Sequence, residues 1–272
     1  MMITDIKEYK NTKRGHLGTF WQQVSTILWA DFRFLKRFWK RTLFTSLMLP
    51  TLYLIAFGYG LGSVIDVTDV DSMNGSDSYL LFVLPGIIAI TAMNSAYNAS
   101  GNKISIDKLF YKSFDELIMA PMGITAITVG KALVGVVRGG FACTAFILLG
   151  LIAVSGFTLN LYFLMGLLIT LLAFSFLGVA VGTYTKTHQD MATFSSLVIT
   201  PMSFLGGTLF PVSAMPTFIQ TFLYALPLTN ASESMREAII NGQMIWSSLL
   251  YLVIFSVICF IVALRLMKRV NL

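Results

Sequence analysis

Charge is scarce in this sequence. Asp, Glu, Lys and Arg make up 12% of its 272 residues, about half the share of a soluble domain. That shortage, together with apolar runs long enough to cross a bilayer, excludes an ordinary soluble fold. Histidine and cysteine are nearly missing, with two of each. Cys143 and Cys259 lie inside apolar runs and read as small packing residues, not as a disulfide or a metal pair. His16 and His188 sit in polar segments far apart in sequence. No HExxH, CxxC or GxSxG is present, so the sequence nominates no catalytic residue and no metal ligand. The first 41 residues are charged and lack a bounded apolar core, so no cleavable signal peptide is expected.

What is abundant is apolar. Hydrophobic residues reach 56% and the mean hydropathy is +0.77. Six runs read as membrane helices, at 42–62, 79–101, 124–152, 160–183, 191–210 and 245–265. Each covers roughly 30 Å of hydrocarbon at about 1.5 Å per residue. Pro50, Pro85 and Pro201 fall within these spans and predict kinks.

Most of the 19 Lys and Arg residues fall in four places. These are the stretch up to Arg41, the loop after span two (Lys103, Lys108, Lys112), Lys186, and the tail (Arg265, Lys268, Arg269). The first loop on the other side is acidic, with Asp66, Asp69, Asp71 and Asp77. By the positive-inside rule both termini are cytoplasmic and the chain is a multi-pass protein of the cytoplasmic (inner) membrane. The net charge of +6 therefore reflects topology, not binding of nucleic acid. The predicted organisation is a cytoplasmic N-terminus with an interfacial amphipathic helix (1–41), a six-span domain (42–265) and a basic cytoplasmic tail (266–272).

Three segments outside the spans carry information. In residues 20–41, Val24, Ile27, Leu28, Leu35, Phe38 and Trp39 recur at helical spacing, while Arg33, Lys36, Arg37 and Lys40 cluster elsewhere on the wheel. Such a helix suits the inner membrane interface. The second segment, Ser113-Phe114-Asp115-Glu116-Leu117-Ile118-Met119, opens with a capping box and ends before Pro121. It predicts a two-turn cytoplasmic helix exposing Phe114, Leu117, Ile118 and Met119. That helix either docks a protein or packs on its own bundle. The third, residues 209–246, is too apolar for a solvated loop and is broken by Pro211, Pro216 and Pro227. It predicts an outer re-entrant helical hairpin.

These features, in this order on six spans, resemble the ABC-2 type permease family. The most specific part is GGTLFPVSAMPTFIQTFLYALPLTNASESMREAI, residues 206–239: a span ending in FP, an L-P-L-T turn and a helix bearing an arginine. DELIMAPMGITAITVGK, residues 115–131, is similar to the family's passage from a cytoplasmic helix into span three. The resemblance implies an all-α membrane protein that forms a homodimer, works with two copies of a separate cytoplasmic ABC ATPase, and exports an amphiphile. The candidates are a polysaccharide, a lipo-oligosaccharide, another lipid-linked molecule or a drug. It makes Ser113–Met119 the coupling helix and places ATP and Mg in the partner. This chain itself is expected to bind no cofactor. The stretch from Gly123 to Lys131 is not a phosphate loop, because Thr125 and Ala132 stand where glycine and Ser/Thr are required.

The remaining site expectations concern the path. Phe210, Phe218, Phe222 and Tyr224 are expected to close the outer mouth, or else to face lipid. Lys131 and Arg138, seven residues apart, share one face of span three. Lys131 is expected to snorkel. Arg138, deeper and without an obvious acidic partner, either pairs structurally or meets an anionic group on the substrate. Gly58, Gly60 and Gly62 at the end of span one, and Gly178 with Gly182 in span four, permit a close helix approach, between copies or within one. The competing reading is a secondary transporter or channel without an ATPase. An intramembrane enzyme would need clustered acids or histidines that the spans do not supply.

Overall fold

The computed structural model describes residues 19–53, 55–56, 76–111, 113–120, 122–153, 157–212 and 215–270. Among them the regular structure is entirely helical. Helix α1 runs Phe20–Tyr53, α2 Ser76–Leu109, α3 Ser113–Met119, α4 Ile124–Ala153 and α5 Leu161–Tyr184. Helices α6 (His188–Phe194) and α7 (Thr200–Leu205) flank a π-helical turn, Ser195–Ile199. Helices α8 (Thr217–Tyr224), α9 (Pro227–Ile240) and α10 (Trp246–Val270) complete the chain.

Among the described residues four stretches are long and apolar enough to span a membrane: Leu80–Leu109, Ile124–Ile152, Leu161–Tyr184 and Trp246–Arg269. They correspond to the expected spans two, three, four and six. The second differs, because α2 continues to Leu109 rather than stopping at 101. Lys103 and Lys108 therefore sit on the helix, not in a loop. Lys108 Nζ donates to the carbonyls of Thr183 and Thr185, where it meets the negative end of α5.

The expected interfacial helix and first span form one helix, α1, whose regular dihedrals are interrupted at Phe38 (φ −116°, ψ 20°). Beyond Tyr53 only residues 55–56 of the expected first span are described; Gly58, Gly60 and Gly62 lie outside the described residues, as do residues 1–18 and Asp66, Asp69 and Asp71. The expected fifth span is broken. The Thr200 amide reaches the Ser195 carbonyl five residues back, and Pro201 supplies no amide for the next turn. The helix ends at Leu205, after which the chain crosses α2 where a Cβ on Gly86 would collide with the Thr208 carbonyl.

Two apolar cores result. The larger joins α2, α4, α5 and α9 around Ile87, Met93, Tyr97, Phe146, Phe163 and Phe174. The smaller occupies the basic end of the bundle, where Ile27, Ile104, Phe114, Ile127, Val179 and Met267 meet from six helices. The α2–α5 crossing is set by glycines. A Cβ on Gly178 would lie 2.6 Å from the Tyr97 carbonyl oxygen, and one on Gly182 would lie 2.5 Å from that of Gly101. These two glycines therefore serve packing within the protomer.

Local caps fix the ends. Asn160 Oδ1 accepts from the Phe163 amide at 2.9 Å, and Asn160 Nδ2 donates to the Ala238 carbonyl, tying α5 to α9. Thr187 and Asp190 form a capping box at α6. The amide of Lys186, with the hydroxyl and amide of Thr187, holds the exposed Asp190 carboxyl below the usual range.

Candidate functional site

The site begins with α1. Val24, Ile27, Asp31 and Leu35 form its buried stripe, at spacings of three and four residues. Arg33, Lys36, Arg37 and Lys40 stay exposed beside Trp21, Trp29 and Phe32. Phe38 and Trp39, expected on the apolar stripe, are partly exposed because the stripe turns at the Phe38 interruption. A Cβ on Gly130 would strike the Ile27 side chain, so this glycine lets α1 lie close against α4.

Against that seam the two cations of span three find acids. Arg138 donates through Nε and Nη2 to both oxygens of Asp31, at 2.7 and 2.5 Å. Lys131 Nζ donates to Asp107 Oδ2 at 2.7 Å, and Lys103 approaches the other oxygen at 3.0 Å. The Arg138 contact is the structural pairing that the sequence left as one alternative, with a partner it did not nominate, and the Lys131 contact corrects the sequence reading. Lys131 does not snorkel: it is buried and paired, because α2 extends far enough to bring Asp107 beside it. Arg138 has an acidic partner, supplied by a helix expected to lie outside the bilayer. The missed signal was Asp31 itself, a lone acid in the middle of an apolar helical stripe.

Helix α3 lies at the same end. Phe114 is buried in the smaller core and Leu117 packs against it. The expectation that Phe114 is exposed is therefore corrected: it keys the helix onto its own bundle. The outward surface is made instead by Glu116 and Met119, with Phe110 and Tyr111 just before the helix. Leu117, Asp31, Asp107 and Lys131 line one cleft of about 290 Å³ between α1, α2, α3 and α4. The side chains of Ser113, Asp115 and Ile118, and all of Pro121, lie outside the described residues. The capping box predicted there does too. The Gly123–Lys131 stretch is, from Ile124 to Lys131, the start of α4, so it is helix where a phosphate loop would need an open turn.

Deeper along the same seam is a polar groove of about 340 Å³ between α1 and α2. From α1 come Thr42, Thr45 and Ser46; from α2 come Thr91, Asn94, Ser95 and Asn98; Arg138 of α4 completes the wall. Sequence reading passed over both polar stripes because each is diluted in an apolar run. Their helical spacing was the available signal.

At the other end, α9 anchors the segment after the broken helix. Buried Arg236 donates to the carbonyls of Phe82, Gly207 and Thr208, at 3.1, 3.0 and 3.4 Å, and its guanidinium lies 3.7 Å from the Phe82 ring centre. The expected gate aromatics sit on the surface of this protomer. Phe218 is 88% exposed, and Phe210, Phe222 and Tyr224 are about half exposed. The structure thus brings Lys131 and Arg138 into one seam with α3 at its basic end, and places the four aromatics at the opposite end.

Comparison with known proteins places the sequence among membrane transport proteins. The ABC-2 type transporter family profile matches residues 22–240. "Inner membrane transport permease YadH" of Escherichia coli strain K12 is 27% identical over 253 residues, covering 92% of this chain and 96% of that protein. "Nodulation protein J" of Rhizobium leguminosarum bv. viciae is 28% identical over 244 residues, covering 85% and 90%. The Rhizobium meliloti protein of the same name is 25% identical over 241 residues, covering 85% and 88%.

Proposed function

The chain belongs to the ABC-2 type transporter family, and on that premise we propose that it is the transmembrane subunit of an ATP-driven exporter. It sits in the inner membrane as six spans, with its basic end and both termini in the cytoplasm. Two copies face each other, and each engages one copy of a separate ABC ATPase that holds ATP and Mg. The cargo is an amphiphile of the polysaccharide, lipo-oligosaccharide, other lipid-linked or drug type. E. coli YadH is named as an inner membrane transport permease, which supports the location and the transport role.

The observation that carries this reading is the seat of α3. A short helix rooted by Phe114 in a core shared with α1, α2, α4, α5 and α10 can pass a push on its outer face to the whole basic end. Its exposed Met119, at 85%, with Tyr111 just before the helix at 71%, supplies an apolar docking surface for the ATPase. Arg138 and Lys131 belong to the wall of the substrate path. Phe210, Phe218, Phe222 and Tyr224 close its outer mouth between the two copies.

Affinity purification of the chain from its native membrane, followed by identification of bound subunits, tests the proposal. Recovery of an ABC ATPase whose hydrolysis depends on this chain is the expected result. Recovery of the chain alone, with transport unaffected by ATP depletion, would overturn it.

A further inference from the structure

The groove between α1 and α2 has an unusual balance of donors and acceptors. Its threonine hydroxyl protons are already used, whereas among the described residues no acceptor takes those of Ser46 and Ser95. Thr42 Oγ1 donates to the Phe38 carbonyl, Thr45 Oγ1 to those of Arg41 and Thr42, and Thr91 Oγ1 to that of Ile87. Asn94 Nδ2 donates to the Ile90 carbonyl, which leaves its Oδ1 and one amide proton. What the threonines offer a ligand is therefore oxygen lone pairs, while Asn94, Ser46 and Ser95 offer both acceptor and donor. Further donors stand beside them. Asn98 Oδ1 accepts from Asn102, leaving the Asn98 amide protons, and Arg138 uses Nε and Nη2 on Asp31, leaving Nη1. Among the described residues no other acceptor takes these protons.

Charge points the same way. Among the described residues Arg138 is the groove's only cation, and the two-pronged contact with Asp31 neutralises it. A net-neutral wall that mixes acceptor oxygens with donors suits a phosphate or carboxylate poorly, because such a group brings only acceptors and leaves the threonine and Asn94 oxygens unmet. It is equally poor for an apolar cation, which would leave the spare Asn98 and Arg138 protons unmet. An uncharged group with several hydroxyls satisfies both sets, donating to Thr, Ser and Asn94 oxygens and accepting from Asn98 and Arg138.

We infer that this groove binds the uncharged, polyhydroxylated, sugar-like portion of the cargo, with Arg138 acting as a neutralised hydrogen-bond donor. The inference deepens the exporter reading and rests on it for the word cargo. It replaces the anionic contact that the sequence suggested for Arg138. The groove continues towards the basic end into a recess of about 230 Å³ lined by Phe34, Phe38 and Arg41, which shares Thr42 and Thr45 with it. An amphiphile lying along α1 has room there for the part that follows its head group.

The test uses the full chain in nanodiscs, without any ATPase. Octyl glucoside, octyl phosphate and octyltrimethylammonium are compared at equal bilayer concentration. In an Asn98→Cys chain the new thiol is exposed, whereas Cys143 and Cys259 are buried. Octyl glucoside is expected to slow its reaction with N-ethylmaleimide at least five-fold, and the two charged probes to leave it unchanged. Thr45→Val with Asn94→Leu removes two acceptors and should abolish the protection. Equal protection by all three probes, stronger protection by octyl phosphate, or none by octyl glucoside would overturn the inference. Because no ATPase is present, these outcomes are independent of the purification experiment. A chain that binds the glucoside but recruits no ATPase defeats the exporter reading alone.

Discussion

Arg138 and Asp31 are 107 positions apart, yet the guanidinium grips both oxygens of the carboxylate at 2.7 and 2.5 Å. The Asp31 side chain is only 8% exposed and that of Arg138 only 18%. A buried pair of this kind is more costly to halve than to remove. Asp31→Ala should lower stability by about 3–5 kcal/mol, since it strands the guanidinium in the bundle. Asp31→Ala combined with Arg138→Leu should recover much of that loss. Thermal unfolding of both variants in nanodiscs checks the order. A double variant less stable than Asp31→Ala would contradict it.

Phe114 and Met119 sit on one short helix with opposite tasks. Phe114 is buried in the basic-end core, whereas Met119 is 85% exposed. Phe114→Ala should destabilise the chain by about 3–5 kcal/mol through lost burial and the cavity left behind. Met119→Asp should leave unfolding unchanged but weaken association with the ATPase. The pair is read by combining melting curves with an ATPase pull-down. Equal recruitment by Met119→Asp and the parent would remove α3 from the docking surface.

Gly182 tests where the small residues are used. A Cβ there would lie 2.5 Å from the Gly101 carbonyl oxygen of the same protomer. Gly182→Ala should therefore force α2 and α5 apart and lower stability, while the fraction cross-linked as dimer among folded molecules stays constant. A loss of dimer at unchanged stability would place this glycine at the interface between copies.

The sequence was legible where one signal ruled a whole segment. Spans three and four were found within a residue at each end, because each is a long, strongly apolar run, span four uncharged and bounded by Asn160 and Thr185, and span three carrying only Lys131 and Arg138. The helical nature of 113–119 followed from its local pattern, but its burial did not. A two-turn helix has an apolar face whether it meets its own core or a partner, and only the positions of Ile104, Ile127 and Met267 decide that Phe114 points inward. The ion pairs were hidden for a related reason. Asp31 and Asp107 lay beyond the assumed span ends, so Lys131 and Arg138 were judged against acids within the spans alone. The π turn at Ser195–Ile199 was signalled only as a kink at Pro201, which gives the cause but not the form.

Arg236 should be the most sensitive position at the outer end. Its side chain meets three carbonyls from two separate segments, and it lies over the Phe82 ring. Lysine keeps the charge but cannot present two nitrogens to divergent acceptors. Arg236→Lys should cost about 1.5–3 kcal/mol, the scale of a charged hydrogen bond lost in the interior. Limited proteolysis from outside should then cut more readily near 206–212, the stretch that Arg236 pins. Unchanged proteolysis and melting would mean that the Gly86 crossing alone holds it.

The outer aromatics give the last prediction. Phe218 is 88% exposed and Phe222 57% in the protomer, while Leu223 between them and α9 is buried. Leaving two phenylalanines in water forgoes about 1.5–3 kcal/mol each, so something else must cover them in the membrane. Lipid and a second copy are the two candidates, and the proposed gate requires the second copy. Phe218→Cys should resist an impermeant maleimide added from outside when the complex is idle, and label when ATP is turned over. Gln243→Cys, exposed in the turn between α9 and α10, should label in both states and serves as the open reference. Shielding alone would also fit lipid, so the decisive measurement is cross-linking. Under a mild oxidant Phe218→Cys should form a disulfide-linked dimer in the idle state and lose it during turnover. A thiol that is shielded in both states and never cross-links faces lipid, and the four aromatics then form no gate.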